Sequence, residues 1–407
     1  MSSGLQTLPG LLLALTLGLP AIPMAAAEAQ RGAGRALTAI RAAEEHGLRP
    51  SDYGLARLEH LLRTDTSRVD STLASSLTHL AQDLRFGRVR PNAYSNLRES
   101  ERLDLAAAVR TALAADTVPE LMEAMAPPTA LYRSLRQALA HAGSDASDHA
   151  RKIQLTMERL RWLPRPEHER VVLVNIPAFE LNAFDTPDLA GNPALTMRVI
   201  VGRASRTRTP LLGAMLRTVE FRPFWNVPRS ILVGELLPAM RKNARYLIEH
   251  DMEIVGPRDS ILGDKLDQDL LDRLGRGEVR VRQRPTERNA LGAVKLEFPN
   301  PSSIFLHDTP DKRLFARERR DLSHGCIRLE RPGALASWAL AERPGWAQDS
   351  TDRAMSDAAR RILAVAKPTM VILFYGTADA LPDGTLRFHP DLYGLDRQLT
   401  TALSRTR

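Results

Sequence analysis

Hydrophobic residues recur at two different spacings along the chain, and the spacing changes once, after residue 166. Before that point apolar positions fall three or four residues apart, as at Leu73, Leu77 and Leu80, which predicts amphipathic helices. Residues 33–142 contain several such segments and no cluster of acid, base or metal-ligand side chains. We therefore expect this region to form a helical scaffold domain.

The next part of the chain reads as a short linker, one more helix and then strands. Residues 143–149 are small and polar without an apolar period, and a helix follows that ends near Pro164. Beyond it, the predicted strands are 171–176, 179–184, 197–201, 215–221, 279–281, 294–298 and 370–375. The predicted helices among them are 231–242, 266–274, 332–340, 353–366 and 395–403. This order predicts an α+β protein.

The first 27 residues resemble a targeting segment more than a folded element. They contain no Lys, Arg, Asp or Glu, an apolar run from Leu8 to Leu19, and Ala25, Ala26 and Ala27 at the place of a cleavage site. The apolar run is short for a bilayer span, so residues 1–27 are predicted to be a signal peptide, with a buried N-terminal helix as the alternative.

Charge and cysteine content narrow the classes of partner. The formal net charge of +8 favours anionic partners, but aromatics are only 5% and no basic cluster interleaves with them, which argues against nucleic acid. One Cys and scattered His give no ligand cluster, so no metal or other cofactor is expected. In an exported chain a single Cys forms no internal disulfide, which makes Cys326 a candidate functional thiol.

Cys326 and His307 lie at the ends of two short predicted strands, 19 positions apart. This is a plausible way to bring a thiol nucleophile to its general base. The backbone carbonyl of Asp308 is expected to orient the His307 ring, because the Asp308 side chain points away in an extended strand. Gly325 permits close backbone approach, and the amides of Gly325 and Cys326 are expected to face a developing oxyanion.

Two neighbours of the thiol have two interpretations each. Arg328 either binds a carboxylate of the substrate or forms an ordinary ion pair between strands. His324 is either a second acid or a hydrogen-bonded loop residue. These residues predict acyl transfer without naming the acyl group.

The arrangement His307, fifteen residues, Ser323-His324-Gly325-Cys326 and then Arg328 resembles the active-site motif of YkuD-type L,D-transpeptidases. Further stretches are similar to the large periplasmic YcbB type, and they lie at 157–164, 174–179, 225–228, 289–292, 298–300, 307–310 and 391–396.

This resemblance implies a mostly-β catalytic domain of sandwich-like mixed sheets at 150–380, a helical cap at about 232–278, and a segment at 381–407 that packs back on the rest. It implies that Cys326 attacks a tetrapeptide stem of peptidoglycan at its diamino acid, expels D-alanine and passes the acyl group to an amine of a neighbouring stem. His307 would be the base, and Ser323, His324, Trp225 and Asn226 would line the substrate site. The periplasm is the implied location, cell-wall synthases are candidate partners, and carbapenem acylation of the thiol is expected.

The chain departs from that branch in one respect. Only residues 143–148 stand where the branch carries a small peptidoglycan-binding domain, so the acceptor amine and the mode of wall attachment stay open. An L,D-carboxypeptidase or an enzyme that exchanges D-amino acids is one alternative. A non-catalytic wall-binding scaffold protein is another. The sequence indicates no oligomeric state.

Overall fold

The computed structural model describes residues 33–64, 69–94, 97, 103–142, 147–166, 169–187, 189, 192–346, 348–381 and 383–405. The predicted signal peptide and residues 143–146 of the predicted linker lie outside this set. Within the described ranges, no helix has both the length and the apolar character that a bilayer crossing requires.

The N-terminal region is helical, as its spacing predicts. Helical turns at 33–41, Ala42–His46 and Pro50–Tyr53 precede α1 (Leu55–Thr64), α2 (Val69–Phe86), α3 (Leu105–Ala114), α4 (Val118–Met125) and α5 (Ala130–Ala142), with a short turn at Asn92–Tyr94. Their apolar faces bury Leu58, Leu77, Val109 and Met122 in a core of their own. The scaffold therefore has an independent hydrophobic centre.

Helix α6 (Asp148–Arg161) connects this scaffold to the β-structure. The Ser147 hydroxyl accepts a hydrogen bond from the Ala150 amide at 3.2 Å, so the helix begins inside the predicted linker, at residue 148. Ile153, Met157 and Leu160 lie on the buried face of α6 and pack on the sheet.

Seventeen strands follow. They are β1 (Arg170–Asn175), β2 (Glu180–Phe184), β3 (Leu195–Gly202), β4 (Leu212–Met215), β5 (Thr218–Phe221), β6 (Trp225–Asn226), β7 (Met252–Val255), β8 (Ile261–Gly263), β9 (Arg280–Gln283), β10 (Val294–Glu297), β11 (Leu306–His307), β12 (Asp321–Ser323), β13 (Ile327–Leu329), β14 (Arg361–Ala364), β15 (Thr369–Phe374), β16 (Ala378–Ala380) and β17 (Leu386–Phe388) among the described residues.

The main sheet has eleven strands in the order β14-β5-β10-β11-β13-β3-β2-β1-β15-β4, with β12 added beside β3. Strand β4 lies at one edge and β5 is next to the other edge, yet only residues 216 and 217 separate them in the chain. The sheet therefore curls on itself and encloses one core, to which Val172, Val199, Leu296 and Leu306 contribute. This confirms the predicted α+β class with a mostly-β domain of mixed, sandwich-like sheet.

Strands β1 and β15 are buried on both faces. They pair in parallel, and each strand sends alternate residues into the inner core and into the layer against α6. Val172 and Val174 face inward, whereas Val171 and Leu173 face the helix. A parallel pair covered on both sides explains why this stretch reads as a continuous apolar run.

A cap of mixed structure stands on the sheet. It contains α7 (Arg229–Ile231), a π-helical turn (Leu232–Leu236), α8 (Leu237–Met240), α9 (Tyr246–Glu249) and α10 (Gln268–Arg276). These helices surround a small sheet in the order β6-β9-β7-β8, so the cap is not purely helical. The buried Asn289 side chain donates to the carbonyls of Pro223 (3.1 Å) and Arg284 (2.9 Å), which fastens the base of the cap to the chain that re-enters the main sheet.

Three helices complete the chain, α11 (Pro332–Leu340), α12 (Gln348–Ser356) and α13 (Leu395–Arg405). The predicted helix 353–366 is wrong in its second half, because 361–364 form β14 on the edge of the sheet and pair with β5. Sheet-edge hydrogen bonds there outweigh helix propensity, with Ile362 half exposed. The predicted single strand 215–221 is also wrong, since the chain turns at 216–217 where the sheet curls.

The C-terminal helix packs against α6 through a buried ion pair. Arg159 Nη1 donates to Asp396 Oδ1 at 2.5 Å, and the Thr377 hydroxyl donates to the other carboxylate oxygen at 2.7 Å. The Arg159 guanidinium also lies over the Tyr375 ring, 5.0 Å from its centroid. The positive charge of this almost completely buried guanidinium is thus paired with a carboxylate, although Nη2 has no hydrogen-bond partner among the described residues.

Candidate active site

The outer face of the main sheet carries a row of polar residues where β10, β11 and β13 meet. Lys295 pairs with His307, and His307 pairs in parallel with Arg328. Because residues directly opposite one another share a face of the sheet, these three side chains point to the same side. Cys326 directly precedes β13 and is two residues before Arg328, so extended geometry places it on this face too.

His307 is buried and has a defined tautomer. Its Nδ1 lies 2.5 Å from the backbone carbonyl of Asp308, which can only accept, so Nδ1 carries the proton and Nε2 is left as the basic nitrogen. Burial lowers the pKa of His307 to about 3, and the positive charge of Arg328 acts in the same direction. The imidazole is therefore neutral at physiological pH.

Cys326 is a free, half-buried thiol. Burial raises its pKa to about 11, against the effects of a hydrogen bond from the Phe305 backbone and the charges of Lys295 and Arg328. Its sulfur lies 3.9 Å from the Ser303 carbonyl, and among the described residues it makes no hydrogen bond to His307. The pair thus rests as a thiol and a neutral imidazole.

Gly325 sets the turn that presents the thiol. Its φ of +118° lies in a region that suits glycine, and an added Cβ would lie 3.2 Å from Ile304 Cδ1. The hydroxyl of Ser323, which is buried, donates to the Cys326 carbonyl at 2.6 Å and accepts from the Gly325 amide at 3.1 Å. The Thr209 hydroxyl holds the Gly325 carbonyl at 2.7 Å. The backbone on both sides of Gly325 is therefore fixed.

These contacts distinguish the two amides that were expected to face an oxyanion. The Gly325 amide already has an acceptor in Ser323 Oγ and must leave it to serve another. The Cys326 amide has no acceptor among the described residues. In this conformation the Cys326 amide is the available donor.

Arg328 lies beside His307 with its guanidinium mostly buried. Its Nε has no hydrogen-bond partner among the described residues, and it forms no ion pair within 4 Å there. Of its two interpretations, the ion pair between strands is therefore not seen among the described residues. Burial lowers its pKa, and the negative charge of Asp311 opposes that effect. A buried guanidinium with unused donors suits a ligand carboxylate.

His324 faces the cap. Its Nε2 lies 2.7 Å from Glu235 Oε1 on the π-helical turn, and the two side chains are 26% and 52% exposed. The loop that carries the thiol is therefore tied directly to the cap.

Comparison with known proteins identifies the two parts of the chain. Residues 169–362 match the L,D-transpeptidase catalytic domain family, and residues 25–139 match a family described as Scaffold domain. The chain carries an L,D-transpeptidase catalytic domain. A Haemophilus influenzae protein named "Putative L,D-transpeptidase" is 32% identical over 286 residues, which are 70% of this chain. The match spans 56% of the length of that relative.

Two residues expected near the substrate lie on the cap and not on the thiol loop of the L,D-transpeptidase domain. Trp225 and Asn226 form β6, opposite Gln283 and Arg282. Trp225 packs on the cap core, and Asn226 is exposed and accepts from Arg280 at 3.2 Å. Among the described residues, no hydrogen bond or ring contact joins either side chain to Cys326 or His307.

Sequence reasoning missed the role of the Asp308 carboxylate. It accepts from the amides of Ala293 (2.8 Å) and Thr309 (2.7 Å) and pairs with Lys312. It also lies against Gly292, where an added Cβ would be 2.3 Å from Asp308 Oδ2. The carboxylate therefore fixes the residue whose carbonyl orients His307.

The other missed residue of the L,D-transpeptidase domain is Glu235. No motif marks it, because its partner His324 is 89 positions away. For Gly292 the sequence did offer a signal, the family resemblance at 289–292, because a glycine in such a stretch indicates that another group approaches the backbone closely. Across the described part of the chain, no three His, Cys, Asp or Glu side chains gather as a metal site.

Proposed function

We propose that this protein is a peptidoglycan L,D-transpeptidase of the periplasm, exported by residues 1–27. The observation that carries the proposal is the position of the His307 ring. The Asp308 carbonyl fixes the ring through Nδ1, and His307 lies on the strand next to the one that follows Cys326, within a region that matches the L,D-transpeptidase catalytic domain. Peptidoglycan stem peptides are the proposed substrates, and cell-wall synthases are proposed partners.

In the first half-reaction Cys326 attacks the carbonyl carbon of the diamino acid in a tetrapeptide stem. His307 Nε2 takes the thiol proton as the C–S bond forms, and the Asp308 carbonyl stabilises the imidazolium through Nδ1. The Cys326 amide donates to the oxyanion, which is a contribution of about 3 kcal/mol per donor. The tetrahedral intermediate expels D-alanine, whose nitrogen receives the proton from His307.

Charge supports an acidic stem as the donor. Lys295 and Arg328 lie on either side of His307, and Arg328 has unused donors that suit a stem carboxylate. An amine of a neighbouring stem then attacks the thioester, forms the cross-link and releases Cys326.

The test is to incubate the purified protein with disaccharide-tetrapeptides and analyse the products by mass spectrometry. We expect D-alanine release and a cross-linked dimer. Tripeptide without dimer would instead indicate an L,D-carboxypeptidase, and exchanged tetrapeptide would indicate D-amino-acid exchange. The absence of all three products, together with equal carbapenem labelling of wild type and Cys326→Ala, would leave a non-catalytic wall-binding protein.

A further inference from the structure

The contact between the cap and the thiol loop has chemistry that the first half-reaction does not use. Glu235 Oε1 lies 2.7 Å from His324 Nε2, and Glu235 Oε2 has no hydrogen-bond partner among the described residues. A carboxylate has about four acceptor positions, so Glu235 can hold a second cationic donor without releasing His324.

The charge around His307 makes this carboxylate unusual. Burial is the largest cause of the low pKa of His307, and the positive charges of Arg328, Lys295 and Lys312 lower it further. The electrostatic field around His307 is therefore positive. Asp308 is already held by two amides and Lys312. A primary ammonium is therefore repelled near His307, whereas Glu235 offers it an exposed carboxylate at the contact between His324 and the cap.

Tyr246 adds a second feature that suits a cation. Tyr246 packs on the cap core to which Leu236, the neighbour of Glu235 in sequence, contributes. Burial, and then the negative charge of Glu235, raise the pKa of its phenol. The Tyr246 ring stacks on His250 at 4.1 Å between centroids, which fixes its orientation. A carboxylate and an aromatic ring on the same part of the cap are a favourable setting for an ammonium group.

From this arrangement we propose that Glu235, with Tyr246, binds the ammonium of the acceptor amine and that His324 receives its proton. The proposal rests on the proposed function and names the acceptor site of that same reaction. It assigns the ligand as a primary ammonium, supplied either by the side chain of a stem diamino acid or by a free D-amino acid.

Because Nε2–H of His324 donates to Glu235, Nδ1 takes one proton from the ammonium. The neutral amine lone pair forms the C–N bond at the thioester carbonyl, and the C–S electron pair returns to Cys326. The second amine proton passes through His307 Nε2 to the sulfur, which restores the thiol, and His324 releases its proton to solvent.

The test compares Glu235→Gln with Glu249→Gln. Glu249 is the control, because it is a cap carboxylate of similar exposure that accepts one hydrogen bond, from Asn243 at 2.8 Å, and lies 3.9 Å from Arg245 in an exposed ion pair. Active enzyme is counted by carbapenem labelling of Cys326. Acceptor dependence is measured with disaccharide-tetrapeptide for dimers and with D-methionine for exchange, so the two arms separate the sources of the amine.

We expect the acceptor concentration for half-maximal product to rise about fivefold in Glu235→Gln, more in Glu235→Lys, and to recover in part in Glu235→Asp. Glu249→Gln should match wild type. An unchanged value in Glu235→Gln, or an equal rise in Glu249→Gln, overturns the acceptor site. Wild type that releases D-alanine but uses neither acceptor also overturns it, whereas wild type without D-alanine release refutes the proposed function itself.

Discussion

Replacing Gly292 by alanine tests whether the Asp308 carboxylate positions the base. The added Cβ would lie 2.3 Å from Asp308 Oδ2 and 2.6 Å from its Cβ, so a shift of a flexible tip cannot relieve the contact. Asp308 has to move, and with it the carbonyl that accepts from His307 Nδ1. We therefore expect a stability loss and a larger activity loss in the same variant.

The magnitude follows from the contacts. Alanine at the Gly292 φ of +60° costs about 1–2 kcal/mol. If Asp308 swings away, a buried amide of Ala293 or Thr309 loses its acceptor, which costs about 1–3 kcal/mol more. A total of about 3 kcal/mol is expected. A base displaced by about 1 Å lowers the rate on the order of 100-fold.

The assay pairs urea unfolding with the rate of D-alanine release from tetrapeptide, normalised to folded protein. Gly384→Ala is the matched control, because Gly384 also has positive φ, +85°, but nothing lies within 4 Å of an added Cβ. The control should lose about 1–2 kcal/mol of stability and no activity. Release rates that are equal in the two variants would refute the positioning role of Asp308.

The Cys326 thiol and the ion pair between Arg159 and Asp396 give three further predictions. Burial raises the pKa of the Cys326 thiol to about 11. The rate of alkylation by iodoacetamide should therefore rise about tenfold per pH unit from pH 7 to nearly 11. A rate that is already constant near pH 7 would show a preformed thiolate. The same shift should make the fold lose stability as pH rises from about 9 to about 11, since the folded state holds the thiol proton more tightly. Asp396→Ala leaves the buried Arg159 guanidinium without its carboxylate, so urea unfolding should show a loss of about 3–5 kcal/mol; a loss below about 1 kcal/mol would contradict the packing of α13 on α6.

The general architecture could be predicted from the sequence wherever the hydrophobic residues keep a single spacing. Helical spacing located the scaffold, and the apolar run at 370–375 located β15, because a strand buried on both faces leaves a clear signal. The edge strand β14 was missed because Ile362 faces solvent and its hydrogen bonds depend on a strand about 140 residues away. Local propensity carries no information about such a partner.

In the candidate site, too, some residues could be found from the sequence and others could not. His307 and Cys326 stand at strand ends with a characteristic interval, so the pair could be selected from sequence. Glu235 could not, because its relation to His324 exists only after the cap folds over the thiol loop. The two oxyanion amides looked equivalent in sequence, and only the rotamer of Ser323 distinguishes them.

The parallel pairing of β1 with β15 has a consequence for the order of folding. Arg170 lies opposite Thr369, about 200 residues further along the chain, and Cys326 lies between them in sequence. Closing so long a loop is slow, and β1, which pairs with β2 on one side, lacks its second neighbour until nearly the whole chain is present. Cys326 packs against the inner core to which Val371 and Leu373 of β15 contribute, so we expect the single thiol to be more accessible to oxidants and alkylating reagents until that last pairing forms.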